Sequence, residues 1–272
     1  MARRCDPVHQ DTACVLPAGA PRYLRPVVTG AGGSATLAWL AEVPPAAAQD
    51  CYILAGCDEI VALVDGAGIL VLGGERIPVR AGHCWLIPAG RDRCFENSSA
   101  VEPARLVGFW PGAPDLAAAG YRASAGGAAG PADRGRAVVI HEDAVPAERM
   151  DAGAGWSISD FRLPLGRHNG SATTLFRARF LPGAIHRKHR HEDCEEIYYV
   201  IAGEGLAGAG ASRGPVRAGH FHHIPAGTEH WLVNRDGAAP VEVVGVYVGA
   251  GGVDETGYVY TGDVGAADLD PA

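Results

Sequence analysis

Histidines cluster in the second half of the chain, where seven of the 11 in the sequence lie between His186 and His230. His189 and His191 are two residues apart, which places both side chains on one face of a β-strand, whereas on a helix they would diverge. Neutral imidazoles and a carboxylate such as Glu196 are ligands that divalent Fe, Mn, Ni, Zn and Cu accept in proteins. The spacing therefore predicts one divalent transition metal, held by His189, His191, Glu196 and His230.

The positions of these side chains require a turn between two strands. Glu196 lies an odd number of residues after His191, so it cannot share that face on an uninterrupted strand. The polar segment 192–195 supplies the turn, and the partner strand follows it. In that strand Tyr198 points with Glu196, which makes it a candidate wall of the pocket. His230 follows a proline-glycine turn at the start of another strand.

The segment that carries the last of these ligands is repeated within the chain. Residues 78–97 and 215–234 lie 137 positions apart, align without a gap and are identical at 11 of 20 positions. A stretch rich in Gly, Ala and Pro, Gly112–Arg136, lies between the copies and reads as a connector. The sequence therefore predicts two domains of related structure, residues 1–132 and 133–272.

Composition and periodicity favour an all-β chain. The sequence has 38 Gly and 19 Pro, and 20% of its residues are charged, as expected of short strands joined by turns. In Leu175–Phe180 every second residue is apolar, and the equivalent positions of the first copy, within Trp39–Val43, are also apolar. Strands of this kind form a sandwich or barrel, so two copies predict two barrels side by side.

The ligand spacing resembles the two sequence motifs of the cupin family. The first pattern reads Gly183-x5-His189-x-His191-x4-Glu196-x6-Gly203. The second reads Gly219-x5-Pro225-x-Gly227-x2-His230-x3-Asn234. The resemblance implies two tandem cupin barrels of the double-stranded β-helix, jelly-roll type, with the metal inside the second. Double cupins such as quercetinases and oxalate decarboxylases are similar in overall plan.

The first copy lacks three of the four ligands. Subtracting the repeat offset gives Tyr52, Leu54, Glu59 and Arg93 at the ligand positions. Only the carboxylate is kept, so we expect this barrel to be free of metal. Because a buried carboxylate and a guanidinium each need a partner, Glu59 and Arg93 are predicted to form an internal ion pair, with a hydrogen bond from Tyr52.

Further side chains could contribute to a site in the second copy. By resemblance to cupins with a large residue three places before the motif proline, His222 faces the barrel interior as an acid, base or support for the ligands, with a structural hydrogen bond as the alternative. Together with Glu196 and Tyr198 it completes the candidate catalytic set. Arg177 and Arg179 could meet an anionic substrate or could be solvated. His186 and His220 are expected at the surface.

Charge and cysteine content limit the partners. The net charge of −8 and pI near 5.7 argue against nucleic acid. Neither a signal-like N-terminus nor a run of about 18 apolar residues indicates a membrane. Seven cysteines without a CxxC pair fit reduced thiols, so we expect a cytoplasmic protein that acts on a small molecule, with a homodimer left open.

The leading functional hypothesis is a metal-dependent enzyme acting on a small organic substrate, of the dioxygenase type of oxidoreductase. Cupins catalyse many reactions, so the resemblance does not name one. Two alternatives stay open. One is an isomerase or lyase that uses the same ion without dioxygen, and the other is a non-enzymatic, ligand-binding cupin.

Overall fold

The computed structural model describes residues 5–14, 20–127, 135–150, 158–235 and 238–269. Their regular structure is almost entirely antiparallel β-strand, which confirms the predicted all-β fold. The strands are, in chain order, β1 (Val8–His9), β2 (Leu24–Val28), β3 (Leu37–Val43), β4 (Tyr52–Leu54), β5 (Glu59–Asp65), β6 (Ala67–Leu72), β7 (Glu75–Arg80), β8 (His83–Ile87), β9 (Asp92–Asn97), β10 (Ala104–Trp110), β11 (Tyr121–Ala123), β12 (Val138–His141), β13 (Asp160–Leu165), β14 (Thr174–Phe180), β15 (Ile185–His191), β16 (Glu195–Ala202), β17 (Glu204–Ala209), β18 (Ser212–Arg217), β19 (His220–Ile224), β20 (His230–Val233), β21 (Val241–Val248) and β22 (Tyr258–Gly262).

The helical elements of these residues are short. One α-helical turn, α1 (Ala266–Leu269), lies near the C-terminal end. Single 3₁₀ turns occupy Gln10–Thr12, Gly30–Gly32, Glu142–Ala144, Arg167–Asn169 and Val253–Glu255. In the part of the chain that the structure describes, no helix has both the length and the apolar character needed to cross a membrane.

The chain divides into two compact units. The first unit is Thr12–Ala144, and the second unit combines Met1–Asp11 with Val145–Ala272. This division differs from the predicted domains, whose junction between residues 132 and 133 falls in 128–134, outside the described residues. The difference arises from two short segments, each of which lies in one predicted domain and pairs with a strand of the other.

Strand pairing explains where these segments belong. β12, which lies just ahead of the second copy in sequence, pairs with β8 and completes the sheet β12-β8-β5-β10-β3-β2 of the first unit. β1, which precedes the first copy, pairs with β19 and completes the sheet β1-β19-β16-β21-β14-β13 of the second unit. Each unit therefore takes one edge strand from the segment ahead of the other copy.

Each unit closes its core between this six-stranded sheet and a five-stranded one. The smaller sheets have the orders β11-β4-β9-β6-β7 and β18-β17-β20-β15-β22. The alternating apolar positions of the two copies belong to the two hydrophobic cores, and they are Trp39, Ala41 and Val43 in the first unit and Phe176, Ala178 and Phe180 in the second. The periodicity in the sequence thus marked the correct faces of β3 and β14.

The predicted connector Gly112–Arg136 contains part of the repeat. Tyr121 begins β11, which pairs with β4 as an edge strand of the first unit. Its counterpart at the same offset, Tyr258, begins β22, which pairs with β15 in the second unit. Gly120 and Gly257 precede them with φ of 61° and 65°, a left-handed conformation that glycine adopts without strain. The connector expectation was therefore wrong for this strand, because the identity of the two copies is low here.

The cysteines also depart from the expectation of reduced thiols. Cys51 and Cys94 form a disulfide with a Cα–Cα distance of 4.5 Å. The register of β4 and β9 pairs Tyr52 with Arg93, which brings the neighbouring cysteines opposite each other. A separation of 43 residues gives no local sequence signal for this pair. The cysteine content therefore no longer supports the cytoplasmic expectation.

Candidate metal centre

The four predicted ligands converge in the second unit. The donor atoms of His189, His191, Glu196 and His230 all lie within 4.8 Å of one another, and all four residues are buried. Glu196 Oε2 lies 3.2 Å from Nε2 of His191 and 3.1 Å from Nε2 of His230. β15, β16 and β20 supply these side chains, as the strand and turn argument predicted.

An irregularity in β15 adds a fifth side chain to this cluster. His189 pairs directly with His230 across β15 and β20, and the register shifts between His186 and His189. Such a bulge re-aims side chains, so residues three apart can face the same interior. The His186 ring lies 4.3 Å from that of His189, and His186 is only 8% exposed. Its predicted surface position was therefore wrong.

Backbone carbonyls orient two of the imidazoles. His189 Nδ1 lies 2.8 Å from the Arg187 carbonyl, and His230 Nδ1 lies 2.9 Å from the Thr228 carbonyl. Since a carbonyl only accepts, each Nδ1 carries the proton and each Nε2 is left as a donor atom for an ion. Burial, followed by the neighbouring His230 and His186, holds the pKa of His189 well below its ordinary value, so this ring is neutral.

The carboxylate at the centre of the cluster is ionised. Burial alone would raise the pKa of Glu196, but the imidazoles of His191 and His230 beside it hold the pKa well below its ordinary value. His191 is 2% exposed, and its Nδ1 has no hydrogen-bond partner among the described residues. A buried polar atom of this kind is costly unless a further group satisfies it. Three imidazoles and one carboxylate therefore fit a divalent transition metal, which they would hold together.

A small cavity, part of it open to solvent, borders the cluster. Glu196 and His230 belong to its wall, and among the described residues no lysine or arginine lines it. The other lining residues are mostly apolar and aromatic, and they are Ile158, Phe161, Phe176, Ala178, Phe180, His186, Tyr198, Trp231, Leu232, Val243 and Tyr247. The wall suits an apolar ligand better than a multiply charged one.

The two arginines of β14 lie on the opposite face of their strand. Phe176 and Ala178 line the cavity, so Arg177 and Arg179 alternate away from it. Arg179 instead forms an ion pair with Glu242 at 2.7 Å. The hypothesis that these arginines meet an anionic substrate is therefore wrong.

Tyr198 and His222 form a buried hydrogen-bonded pair beside the ligands. Tyr198 lines the cavity, and its hydroxyl lies 2.7 Å from His222 Nδ1. The other ring nitrogen of His222 lies 2.8 Å from the Cys5 carbonyl. Burial lowers the pKa of His222 to about 4, so the ring is neutral. The neighbouring His223 points the other way and bonds to Glu195, as strand alternation requires.

Two further tyrosines at the site were not predicted. Tyr247 lines the cavity, with its ring 4.9 Å from that of His191. Tyr258 stacks on His189 at 5.1 Å. The repeat offset places Trp110 and Tyr121 at the equivalent positions of the first copy. Aromatic residues that recur 137 positions apart, outside the most similar segment of the repeat, are the signal that indicates both tyrosines.

The equivalent interior of the first unit contains the predicted ion pair. Arg93 Nε lies 3.3 Å from Glu59 Oε2, and both side chains are at most 2% exposed. Glu59 Oε1 accepts hydrogen bonds from the Tyr52 hydroxyl at 2.7 Å and from Trp110 Nε1 at 2.8 Å. Leu54, at the position of the second histidine ligand, is fully buried. The Glu59–Arg93 prediction is confirmed, and the Trp110 contact adds a donor that the sequence did not suggest.

Known proteins are similar to this chain in both sequence and structure. A cupin domain model matches residues 176–247, which carry all four ligands. An oxalate decarboxylase structure, solved in a study of substrate binding mode and reaction specificity, shares 13% identity, with a TM-score of 0.69 over 95% of this chain and 80% of that one. The Bacillus subtilis oxalate decarboxylase at pH 4.6 shares 12% identity, with a TM-score of 0.69 over 95% and 79%.

A third structure, the formate complex of Lactobacillus farciminis oxalate decarboxylase, covers 89% of its own chain and 96% of this one, with 13% identity and a TM-score of 0.66. At such identities the likeness shows a shared fold over nearly the whole chain. The matched cupin domain, the two barrels and the repeated motif agree with it. Residues 176–247 therefore match a cupin domain, and nearly the whole chain shares its fold with the oxalate decarboxylase structures.

Proposed function

We propose that this protein is a metal-dependent enzyme that acts on a small, largely apolar organic substrate, with a dioxygenase-type reaction as the leading assignment. The observation that carries the proposal is the pairing of a buried three-histidine, one-carboxylate cluster with a cavity walled by aromatic side chains. A substrate with one oxygen atom for the ion and an apolar body for the wall fits both parts.

His189, His191, Glu196 and His230 would hold the ion. When bound, the ion supplies a Lewis acid or redox centre for the reaction. The chain's own residues position the substrate: Phe161 and Phe176 contribute apolar wall that excludes water from one side of the cavity. Tyr198, whose hydroxyl bonds to His222, also lines the cavity.

A lyase or isomerase that works without dioxygen is the second candidate. The similar solved structures are oxalate decarboxylases, and decarboxylation is a lyase reaction. Oxalate itself fits this cavity less well, because its two negative charges would meet an apolar wall that, in the described residues, carries no lysine or arginine. The cavity wall therefore favours a neutral or singly charged substrate for either reaction.

Oxygen uptake tests the assignment. The full chain would be loaded separately with Fe, Mn, Ni, Zn and Cu and mixed with phenols, enols, oxo acids and oxalate, in air and under anaerobic conditions. We expect oxygen uptake with an aromatic phenol or enol, lost in a His189→Ala/His191→Ala variant. Turnover that continues without oxygen would favour the lyase or isomerase, and efficient oxalate cleavage would contradict the apolar substrate class. Tight binding without any turnover would indicate a ligand-binding cupin.

A further inference from the structure

The two ring nitrogens of His222 have different kinds of partner. Nε2 lies 2.8 Å from the Cys5 backbone oxygen, and Nδ1 lies 2.7 Å from the Tyr198 hydroxyl. A carbonyl oxygen can only accept, so Nε2 must carry the ring proton. The ring is neutral because burial lowers the pKa of His222 to about 4. Nδ1 is therefore the acceptor, and the Tyr198 hydroxyl donates its proton to it.

The backbone carbonyl that sets this arrangement is firmly held. The Cys5 N–H donates to Ser212 Oγ at 3.0 Å, and β1 follows immediately with its pairing to β19. Beyond β1, the Gln10 N–H donates to the Gly219 carbonyl at 2.8 Å, while Gln10 Oε1 accepts from the Tyr199 hydroxyl at 3.0 Å. The segment is thus held at Cys5 itself and at the residues that follow it, which keeps the Cys5 carbonyl in place opposite His222 Nε2.

The fold does not require a polar pair at these positions. In the first unit the equivalent residues are Val61 and Trp85, which occupy the same cross-strand register as Tyr198 and His222. Val61 and Trp85 are both buried and apolar. A buried hydrogen-bonded pair beside the ligands is therefore a feature of the second unit alone, and it adds chemistry that an apolar pair would not supply.

We infer that Tyr198 determines specificity by presenting only a hydrogen-bond acceptor to the ligand, with His222 and the Cys5 carbonyl as the positioning groups that fix its polarity. Tyr198 lines the cavity and its single hydroxyl proton is committed to His222, so a ligand that reaches the phenolic oxygen meets only lone pairs. The inference rests on the proposed function and narrows its substrate class. The preferred ligand carries a hydroxyl or amino donor close to the atom that would bind the ion, and a ligand with an ether or carbonyl there is rejected.

The tautomer of His222 tests the positioning part independently of any ligand. Nitrogen NMR of the full chain, labelled at histidine and loaded with diamagnetic Zn(II), distinguishes a protonated from an unprotonated ring nitrogen at neutral pH. We expect a neutral ring with the proton on Nε2, and the same result in a Tyr198→Phe variant because the Cys5 carbonyl is unchanged. A proton on Nδ1, or a charged ring, would overturn the inference.

Matched ligands test the specificity part. Catechol and 2-methoxyphenol share one hydroxyl for the ion, but only catechol has a second donor, and calorimetry on the zinc-loaded protein gives both affinities. We expect the preference for catechol to fall about fivefold in Tyr198→Phe, the typical value of one neutral hydrogen bond. The control Tyr199→Phe removes a hydroxyl that bonds to Gln10, and its preference should match that of the wild type.

The outcomes separate the inference from the proposed function. An unchanged preference in Tyr198→Phe, or a selective loss of 2-methoxyphenol binding, would show that Tyr198 does not act as an acceptor and would overturn the inference. Failure of both phenols to bind the wild-type protein would contradict the proposed substrate class and with it the specificity part. The NMR result would still decide which way the hydrogen bond of Tyr198 points.

Discussion

Each unit buries a glutamate at the same position of the repeat, but the two units surround that glutamate with different side chains. Glu196 in the second unit and Glu59 in the first are both buried and occupy equivalent positions of the repeat. The second unit surrounds its carboxylate with three imidazoles, whereas the first surrounds it with a guanidinium, a phenol hydroxyl and an indole N–H. A barrel of this type can therefore close without a metal, provided that the carboxylate is compensated.

The first unit also has a covalent connection that the second lacks. The Cys51–Cys94 disulfide links β4 to β9, the strands that carry Tyr52 and Arg93. The equivalent strands of the second unit carry His189 and His230, whose rings lie 4.1 Å apart. An ion bound by these histidines would connect β15 to β20, the equivalent strands of the second unit. The histidine set is therefore not a requirement of the fold, which strengthens its assignment to chemistry.

The largest expected effect comes from cutting the chain at the junction that the sequence suggested. Fragments 1–132 and 133–272 each lack the edge strand that completes their own six-stranded sheet, β12 and β1 respectively. We expect neither fragment to unfold cooperatively when followed by circular dichroism, since β8 and β19 would be left as unpaired edges. Fragment 12–144, which keeps β12, should be clearly more stable than 12–132. Two independently stable fragments from the cut at 132 would contradict the assignment of β12 to the first unit and of β1 to the second.

The next effect concerns the ion pair of the first unit. A Glu59→Gln substitution keeps an oxygen that can accept from Tyr52 and Trp110 but removes the charge opposite Arg93. We expect the free energy of unfolding to fall by about 3 to 5 kcal/mol, because a buried guanidinium is left uncompensated. Urea denaturation of the full chain, followed by tryptophan fluorescence, measures this loss.

A second substitution isolates the charge. Arg93→Met in the Glu59→Gln background removes the uncompensated cation, so the double variant should recover much of the lost stability. A Glu59→Gln protein as stable as the wild type would contradict the stabilising role of the Glu59–Arg93 pair.

A smaller effect distinguishes the second unit at acid pH. The folded pKa of His222 is about 4, against an ordinary value of 6.5. The unfolded chain takes up this proton at a higher pH than the folded chain does. The free energy of unfolding should therefore fall as the pH drops from about 6.5 to about 4, by on the order of 3 kcal/mol. His222→Gln cannot titrate, so in chelator its stability should fall less steeply over that range. The first unit has Trp85 at this position, and Trp85→Phe should not alter the slope.

Sequence reasoning succeeded where the determining contacts are local or repeated. The spacing of His189, His191 and Glu196 translates directly into strand, turn and strand, and the repeat offset placed Glu59 against Arg93. These predictions needed only alternation along strands and one internal comparison.

The features that were missed depend on distant pairing. The contact between His222 and Cys5 joins residues 217 positions apart, and the pairing of β1 with β19 that brings them together has no local signal in the sequence. The inward turn of His186 follows from a bulge in β15, which alternation cannot anticipate. The disulfide likewise depends on the register of β4 and β9. Each of these requires the tertiary pairing of strands to be known first.

Metal content tests the central claim most directly, namely that the second unit alone binds a metal. Mass spectrometry of the reconstituted full chain should give one transition metal per chain for the wild type and for Glu59→Gln/Arg93→Met. It should give none for His189→Ala/His191→Ala, while circular dichroism shows that this variant keeps its β structure. Stoichiometric metal in the histidine variant, or a second ion that disappears when Glu59 and Arg93 are replaced, would contradict the account.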